Sequence, residues 1–257
     1  MWATSVGDRS GRLVLGTMRM LERQRSTDEW VRFFGAVHDR GVRWLHCSDE
    51  YESYPLLCQC LAELRTTRPD VTFRFVVKLA NPGFDDSQFD ESRFVGRLSD
   101  YSERLGTKRI DRVQWMWRTK GEDDAHRITR FLAESARLDQ AFNTFIARGL
   151  VGEVLCFPYT PAFAHAALTL SSIRGLVVYR NVLETEYDDA LDDCELRGKT
   201  ALAIRPLAAG KALATGDATP ETLIRYASSH PAISALIVGT SSLKHLSELL
   251  AADAQAS

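Results

Sequence analysis

The run Phe73-Arg74-Phe75-Val76-Val77-Lys78-Leu79 is nearly continuous in apolar residues before it meets a lysine. A strand of this kind is buried on both faces, which points to a parallel sheet with helices packed over it. Comparable short runs recur at 12–17, 42–46, 110–117, 154–157, 175–179, 200–204 and 235–238. Helical signals separate them. Ser26-Thr27-Asp28-Glu29 is a capping box opening a helix that carries Trp30, Phe33, Phe34 and Val37 and stops at Gly41. Pro55 opens a helix through Leu56, Leu57, Cys60, Leu61 and Leu64, and further helical stretches cover 92–105, 123–148 and 161–170. Thr219-Pro220-Glu221 starts another, with proline at its first position, and Leu243, Leu246, Leu249 and Leu250 form the stripe of the last. Eight strand–helix units are the count of a (β/α)8, or TIM, barrel. No Gly- or Pro-rich linker divides the chain, so an α/β fold with one (β/α)8 barrel domain across residues 1–257 is expected.

Charge and composition exclude several classes of function. The balance is 32 basic against 34 acidic residues, a formal net charge of −2, which leaves no footprint for a nucleic-acid or membrane-surface partner. No apolar run approaches the roughly 20 residues of a membrane-spanning helix. Residues 1–12 carry Asp8, Arg9 and Arg12 and lack the apolar core of a signal peptide; they read as a frayed leader or short strand. Of the five cysteines, Cys58 and Cys60 are not at a metal-ligand spacing and no second pair completes a site, so all read as reduced, mostly buried thiols. The expectation is a cytoplasmic protein with a small-molecule substrate, no resident metal, and an oligomeric state that the sequence leaves open.

Barrels of this type keep their chemistry on the loops that follow the strands. The stretch from Gly41 to Tyr51 reads as a buried strand running into a polar loop that holds Tyr51. Lys78 closes the third strand toward the same mouth, and an inward lysine there is costly without a partner or a use. His46 is a candidate base or a satisfied buried histidine. With Asp49 and Glu50 it makes a poorly spaced metal set with no remote partner. Trp115 and Trp117 alternate about Met116 on the fourth strand, lining a substrate pocket or packing in the core. Arg205, after the seventh strand, is placed to meet an anionic ligand or to pair with Glu184 or Glu186. Gly239-Thr240-Ser241-Ser242 opens the last helix, where backbone N–H groups and the helix dipole favour an anion.

In order along the chain, Leu15-Gly16-Thr17-Met18, Gly41 with Ser48-x-x-Tyr51, Val77-Lys78, Pro206-Leu207-x-x-Gly210 and Ile237-x-Gly239-Thr240-Ser241-Ser242-x-x-His245-Leu246 resemble the aldo-keto reductase family over nearly the whole chain. The resemblance implies NADPH-dependent carbonyl reduction, with Tyr51 protonating the carbonyl oxygen and Lys78 lowering its pKa. It implies cofactor contacts at Gly16, Thr17, Met18, Gly239, Thr240 and Ser241, with Lys244 toward a 2′-phosphate and Glu248 on the adenine side. Trp115, Met116, Trp117 and Arg205 are the substrate-side candidates. The chain departs from the family where an aspartate would pair with the lysine (His46) and where a histidine would orient the carbonyl (Met116). The polar nicotinamide anchors fall on Phe157, Pro158 and Val177, the ring-stacking aromatic falls on Ile204, and the loop after the seventh strand is short. Three functions are consistent with this pattern: an NADPH-dependent reductase of a small carbonyl or imine, a cofactor-independent lyase, isomerase or cyclase using Tyr51 and Lys78, and a non-catalytic relative that binds a ligand or partner.

Overall fold

The computed structural model describes residues 12–120, 123–214 and 218–255. The expected leader before Arg12 lies outside these. Eight parallel strands close into one barrel in the order of the sequence. They are β1 Leu13–Gly16, β2 Trp44–Cys47, β3 Arg74–Ala80, β4 Ile110–Met116, β5 Val151–Cys156, β6 Ile173–Tyr179, β7 Thr200–Ile204 and β8 Ile233–Val238. The helices of the outer ring are α1 Thr27–Asp39, α2 Tyr54–Thr67, α3 Glu91–Leu105, α4 Asp124–Ala147, α5 Pro161–Leu168 and α6 Asp188–Leu196. A four-residue helix α7 Lys211–Ala214, then α8 Pro220–Ser228 and α9 Leu243–Gln255, complete it. The expected (β/α)8 barrel is therefore the observed fold. None of the described helices is long and apolar enough to cross a membrane.

Local chemistry accounts for most boundaries. At α1, Ser26 Oγ accepts from the Glu29 amide at 3.2 Å and Glu29 Oε2 accepts from the Ser26 amide at 2.8 Å, the reciprocal capping box read from the sequence. Two helices were not anticipated, the four-residue α7 and α6. In α6 the signal is hidden: four aspartates mask a stripe of only Ala190, Leu191 and Cys194, too weak an apolar signal to show as a helical period.

Two apolar layers share each strand. Inward residues such as Val14, Trp44, Val76, Leu155, Val177 and Leu202 fill the barrel. Outward residues meet the helices. At the floor of the barrel the Trp44 ring lies between the guanidinium groups of Arg74 and Arg112, 4.3 and 4.5 Å from its centroid. Arg112 in turn pairs with Glu153 at 3.0 Å.

This layering corrects one expectation. Trp115 and Trp117 do not line a pocket. Both are fully buried on the outer face against Phe131 of α4, and Trp115 also meets Phe142. Met116, between them, faces into the barrel. Alternation along a strand had put Met116 on the opposite face from the two tryptophans, and closure of the barrel decided which face was inside.

Candidate active site

The loop after β2 is fixed by its own hydrogen bonds before any ligand is considered. The Tyr51 amide donates to Ser48 O at 3.1 Å and the Glu50 amide to Ser48 Oγ at 3.2 Å. Tyr101, on α3, takes the Asp49 amide on its hydroxyl at 2.7 Å, and that hydroxyl lies 2.9 Å from Lys78 O. Arg97 holds the Asp49 carboxylate with Nη2 at 2.6 Å and Nε at 3.1 Å. Asp49 is thus consumed as an anchor, and the loop presents Glu50 and Tyr51 to the barrel mouth.

There they meet residues from β3, β4 and β5. Lys78 Nζ is 3.2 Å from Glu50 Oε2 and 5.4 Å from the centre of the Tyr51 ring. Arg118, just past β4, clamps both Glu50 oxygens, Nη1 to Oε1 at 2.7 Å and Nη2 to Oε2 at 2.9 Å. Its Nε donates to the Tyr159 hydroxyl at 2.9 Å. Burial alone would raise the Glu50 pKa, but the Arg118 hydrogen bonds and the Lys78 charge outweigh it and hold the carboxyl below its ordinary value. Tyr159 and Arg205 occupy left-handed backbone conformations, φ +64° and +55°, at the loops after β5 and β7. Such strain at non-glycine residues collects where a scaffold holds a site in place.

The Tyr51 hydroxyl hydrogen-bonds to no described residue. Burial pushes its pKa up, with Cys47, Glu50 and Tyr179 adding to the rise. The expectation that Lys78 makes this phenol a stronger acid is therefore not met: the ammonium is engaged by Glu50, and Tyr51 stays protonated. His46 Nε2 is 2.8 Å from Gln114 Oε1, so it donates and the ring is the Nε2–H tautomer. Burial brings His46 down to about 4, helped by the Lys78 charge and opposed by the Gln114 bond. His46, Asp49 and Glu50 are thus each held by different groups: Gln114, Arg97, and Arg118 with Lys78. Elsewhere Asp192, Glu195 and His230 bring their ligand atoms within 4.8 Å of one another. There His230 Nδ1 accepts the Ala232 amide, which puts the proton on Nε2 toward Asp192 and leaves that nitrogen no lone pair for a metal.

The cofactor candidates divide into two groups. Gly16, Thr17, Gly239, Thr240 and Ser241 come together in one cleft of about 180 Å³, with Arg19 and Arg23 on its wall. The cleft lies at the start of α9, and Arg25 of the α1 side reaches across to Ser241 O at 2.7 Å. Met18 lies exposed on the loop after β1. Lys244 and Glu248 point to solvent 4.0 Å from each other, outside that lining. Arg205 lies over the Tyr179 ring at 4.5 Å and 3.8 Å from Glu184. An anion such as a phosphate suits the charge of the first group through the Arg19 and Arg23 guanidinium groups and the start of α9, although the Thr17 hydroxyl is spent on His46 O and the Thr240 hydroxyl on its own loop. At the other end the expected positions offer a dinucleotide's carboxamide no polar side chain. Phe157 packs edge-on to Tyr159 and Tyr179, and Val177 and Ile204 lie in the barrel's apolar interior. The Pro158 carbonyl already accepts Arg127 Nη2 at 2.9 Å.

No family model matches the chain, and no curated protein does. Solved structures do superpose on it. A Pseudomonas aeruginosa protein assigned to the aldo-keto reductases aligns over 95% of this chain and 90% of its own, with a TM-score of 0.73 and 21% identity. The fold is that of the aldo-keto reductases. The aldo-keto reductase of Bacillus halodurans in its holo form aligns over 94% and 86%, with a TM-score of 0.70 and 18% identity. A thermostable aldo-keto reductase solved with the inhibitor epalrestat aligns over 93% and 88%, at 0.70 and 17%. On this aldo-keto reductase barrel the residues sequence reasoning missed are Arg118, Tyr159 and Gln114, and Glu50 as partner of Lys78. Glu50 was visible as a carboxylate one residue before Tyr51. Gln114 was visible as a polar residue two before Met116 on the same face of β4.

Proposed function

We propose that the barrel mouth is the active site of a divergent enzyme of aldo-keto reductase type, reducing a small carbonyl or imine with Tyr51 as proton donor. The carrying observation is the 3.2 Å contact of Glu50 with Lys78, whose ammonium lies 5.4 Å from the centre of the Tyr51 ring, while the Tyr51 hydroxyl has no partner among the described residues. A carboxylate lost from β2 is thereby replaced from the following loop. The phenol's raised pKa is compatible with the role. The alkoxide formed by reduction is far more basic than a phenolate, so proton transfer from Tyr51 runs downhill, and the tyrosine remains in its acid form at neutral pH. NADPH would supply the hydride when bound, with its phosphates at Gly239–Ser242.

The apolar residues at Phe157, Val177 and Ile204 favour a second reading, a cofactor-independent lyase, isomerase or cyclase. In it the Tyr51 hydroxyl donates a hydrogen bond to developing negative charge on a substrate oxygen, and the Lys78 ammonium adds its charge to that stabilisation. Titration of NADPH against tryptophan fluorescence and melting temperature, with NADH alongside, separates the two. Binding that raises the melting temperature, with carbonyl turnover abolished in Tyr51→Phe, supports the reductase. No binding at millimolar NADPH overturns it, and cofactor-free turnover lost in Tyr51→Phe would then support the second.

A further inference from the structure

Two cations share one carboxylate at the mouth. Arg118 takes both oxygens of Glu50 at 2.7 and 2.9 Å, and Lys78 makes a second, longer claim on Oε2 at 3.2 Å. The other nearby acid, Asp49, is fully engaged by Arg97. Arg205 and Glu184 offset each other on the rim at 3.8 Å, and His46 is neutral, hydrogen-bonded to Gln114. One positive charge is left over, and it belongs to Lys78, since Arg118 covers Glu50 with planar bidentate geometry. The ammonium has three donors and uses one on Glu50. Its field is felt inside the barrel, where it disfavours protonation of His46. Lys78 is one-fifth exposed, so an unneutralised charge there is partly stripped of water and costs free energy until an anion or solvent meets it.

The excess charge stands over the Tyr51 ring, 5.4 Å from its centre, with the unpartnered hydroxyl on the same side chain. A ligand whose oxygen accepts from Tyr51 is held on the side chain whose ring this ammonium overlies. Around this polar centre, beside the Arg205–Glu184 pair, the rim also carries apolar side chains: Met18, Leu21, Phe84, Val182 and Leu183 are exposed on segments that follow β1, β3 and β6. Resting on the carbonyl-directed reading above, we infer that the substrate is an oxo acid with an apolar body. Its carbonyl accepts from Tyr51, its carboxylate, one or two bonds from that carbonyl, meets Lys78, and its hydrocarbon part lies on the rim. Arg118 is then a positioning residue: it neutralises Glu50 so that the charge of Lys78 is free for the substrate.

Phenylglyoxylate and its methyl ester carry the same ketone and differ in charge. Calorimetric titration of the full chain with both is the test. The acid is expected to bind at least about tenfold more tightly than the ester. That preference falls with added salt and disappears in Lys78→Met. Glu50→Gln removes the competing carboxylate and is expected to widen the preference for the acid over the ester, which a misfolded variant would not do. Equal affinities of acid and ester, or an acid preference surviving in Lys78→Met, would overturn the inference. Tyr51→Phe keeps the comparison separate from the reaction itself. If the acid preference holds but neither compound turns over and Tyr51→Phe changes nothing, the catalytic reading fails and the anion site stands.

Discussion

Removing the Glu50 carboxylate is the perturbation whose size can be worked most directly from the structure. At 3.2 Å and an effective dielectric near 20, the Lys78–Glu50 attraction is about 5 kcal/mol before any offset. Desolvation and screening reduce it. The side chains are 20% exposed for Lys78, 32% for Glu50 and 12% for Arg118, between the surface case worth under 1 kcal/mol and the buried case worth 3–5. Glu50→Gln is therefore expected to cost about 2 kcal/mol, a fall of roughly 6 °C in melting temperature for a chain of this size. In Arg118→Met the carboxylate has already lost its clamp. The double variant should then cost about 1 kcal/mol less than the sum of the single ones in a urea-denaturation cycle. The pH dependence has a definite sign. The folded Glu50 pKa lies below its ordinary value, so its contribution is complete above the unfolded pKa and is lost as the pH falls below about 4. Glu50→Gln should flatten that acid limb. A variant as stable as the parent, or strictly additive single effects, would refute the reasoning that these three groups form one electrostatic unit.

Three further outcomes follow from particular contacts. His46, neutral in the fold with its pKa near 4, ionises near 6.5 once unfolded. About 3 kcal/mol of stability is therefore expected to be lost between pH 6.5 and 4. Urea unfolding of His46→Gln across that range should lack the loss, and an unchanged slope would count against a buried neutral histidine. Trp115 Nε1 donates to Asn81 O at 2.7 Å, whereas Trp117 Nε1 has no partner among the described residues. Trp115→Phe should thus destabilise by about 1 kcal/mol more than Trp117→Phe, and equal losses would contradict the assignment. A Cβ on Gly175 would lie 1.7 Å from the Thr200 carbonyl oxygen across the β6–β7 ladder. Gly175→Ala should cost about 3 kcal/mol or more, and a melting temperature within about 2 °C of the parent would show that the strands can part.

The sequence by itself determined the alternation of elements and hence the barrel. Apolar runs of strand length, the Ser26–Glu29 capping box and the Thr–Pro helix starts are local signals, and local hydrogen bonding and burial set them whatever lies far along the chain. It also determined that Tyr51, just past β2, and Lys78, near the end of β3, lie toward one side, because parallel strands in a closed barrel all finish at the same face. Tertiary structure decided the rest. Period-two alternation groups Trp115 with Trp117 apart from Met116, but only barrel closure turns the tryptophans outward. Glu50 is 28 residues from Lys78 and 68 from Arg118, and no local pattern links them; they meet because β2, β3 and β4 are neighbours in the sheet. The charge state of the mouth depends on those distances. It falls off with separation in space and is indifferent to separation in sequence, so it became legible only in the fold.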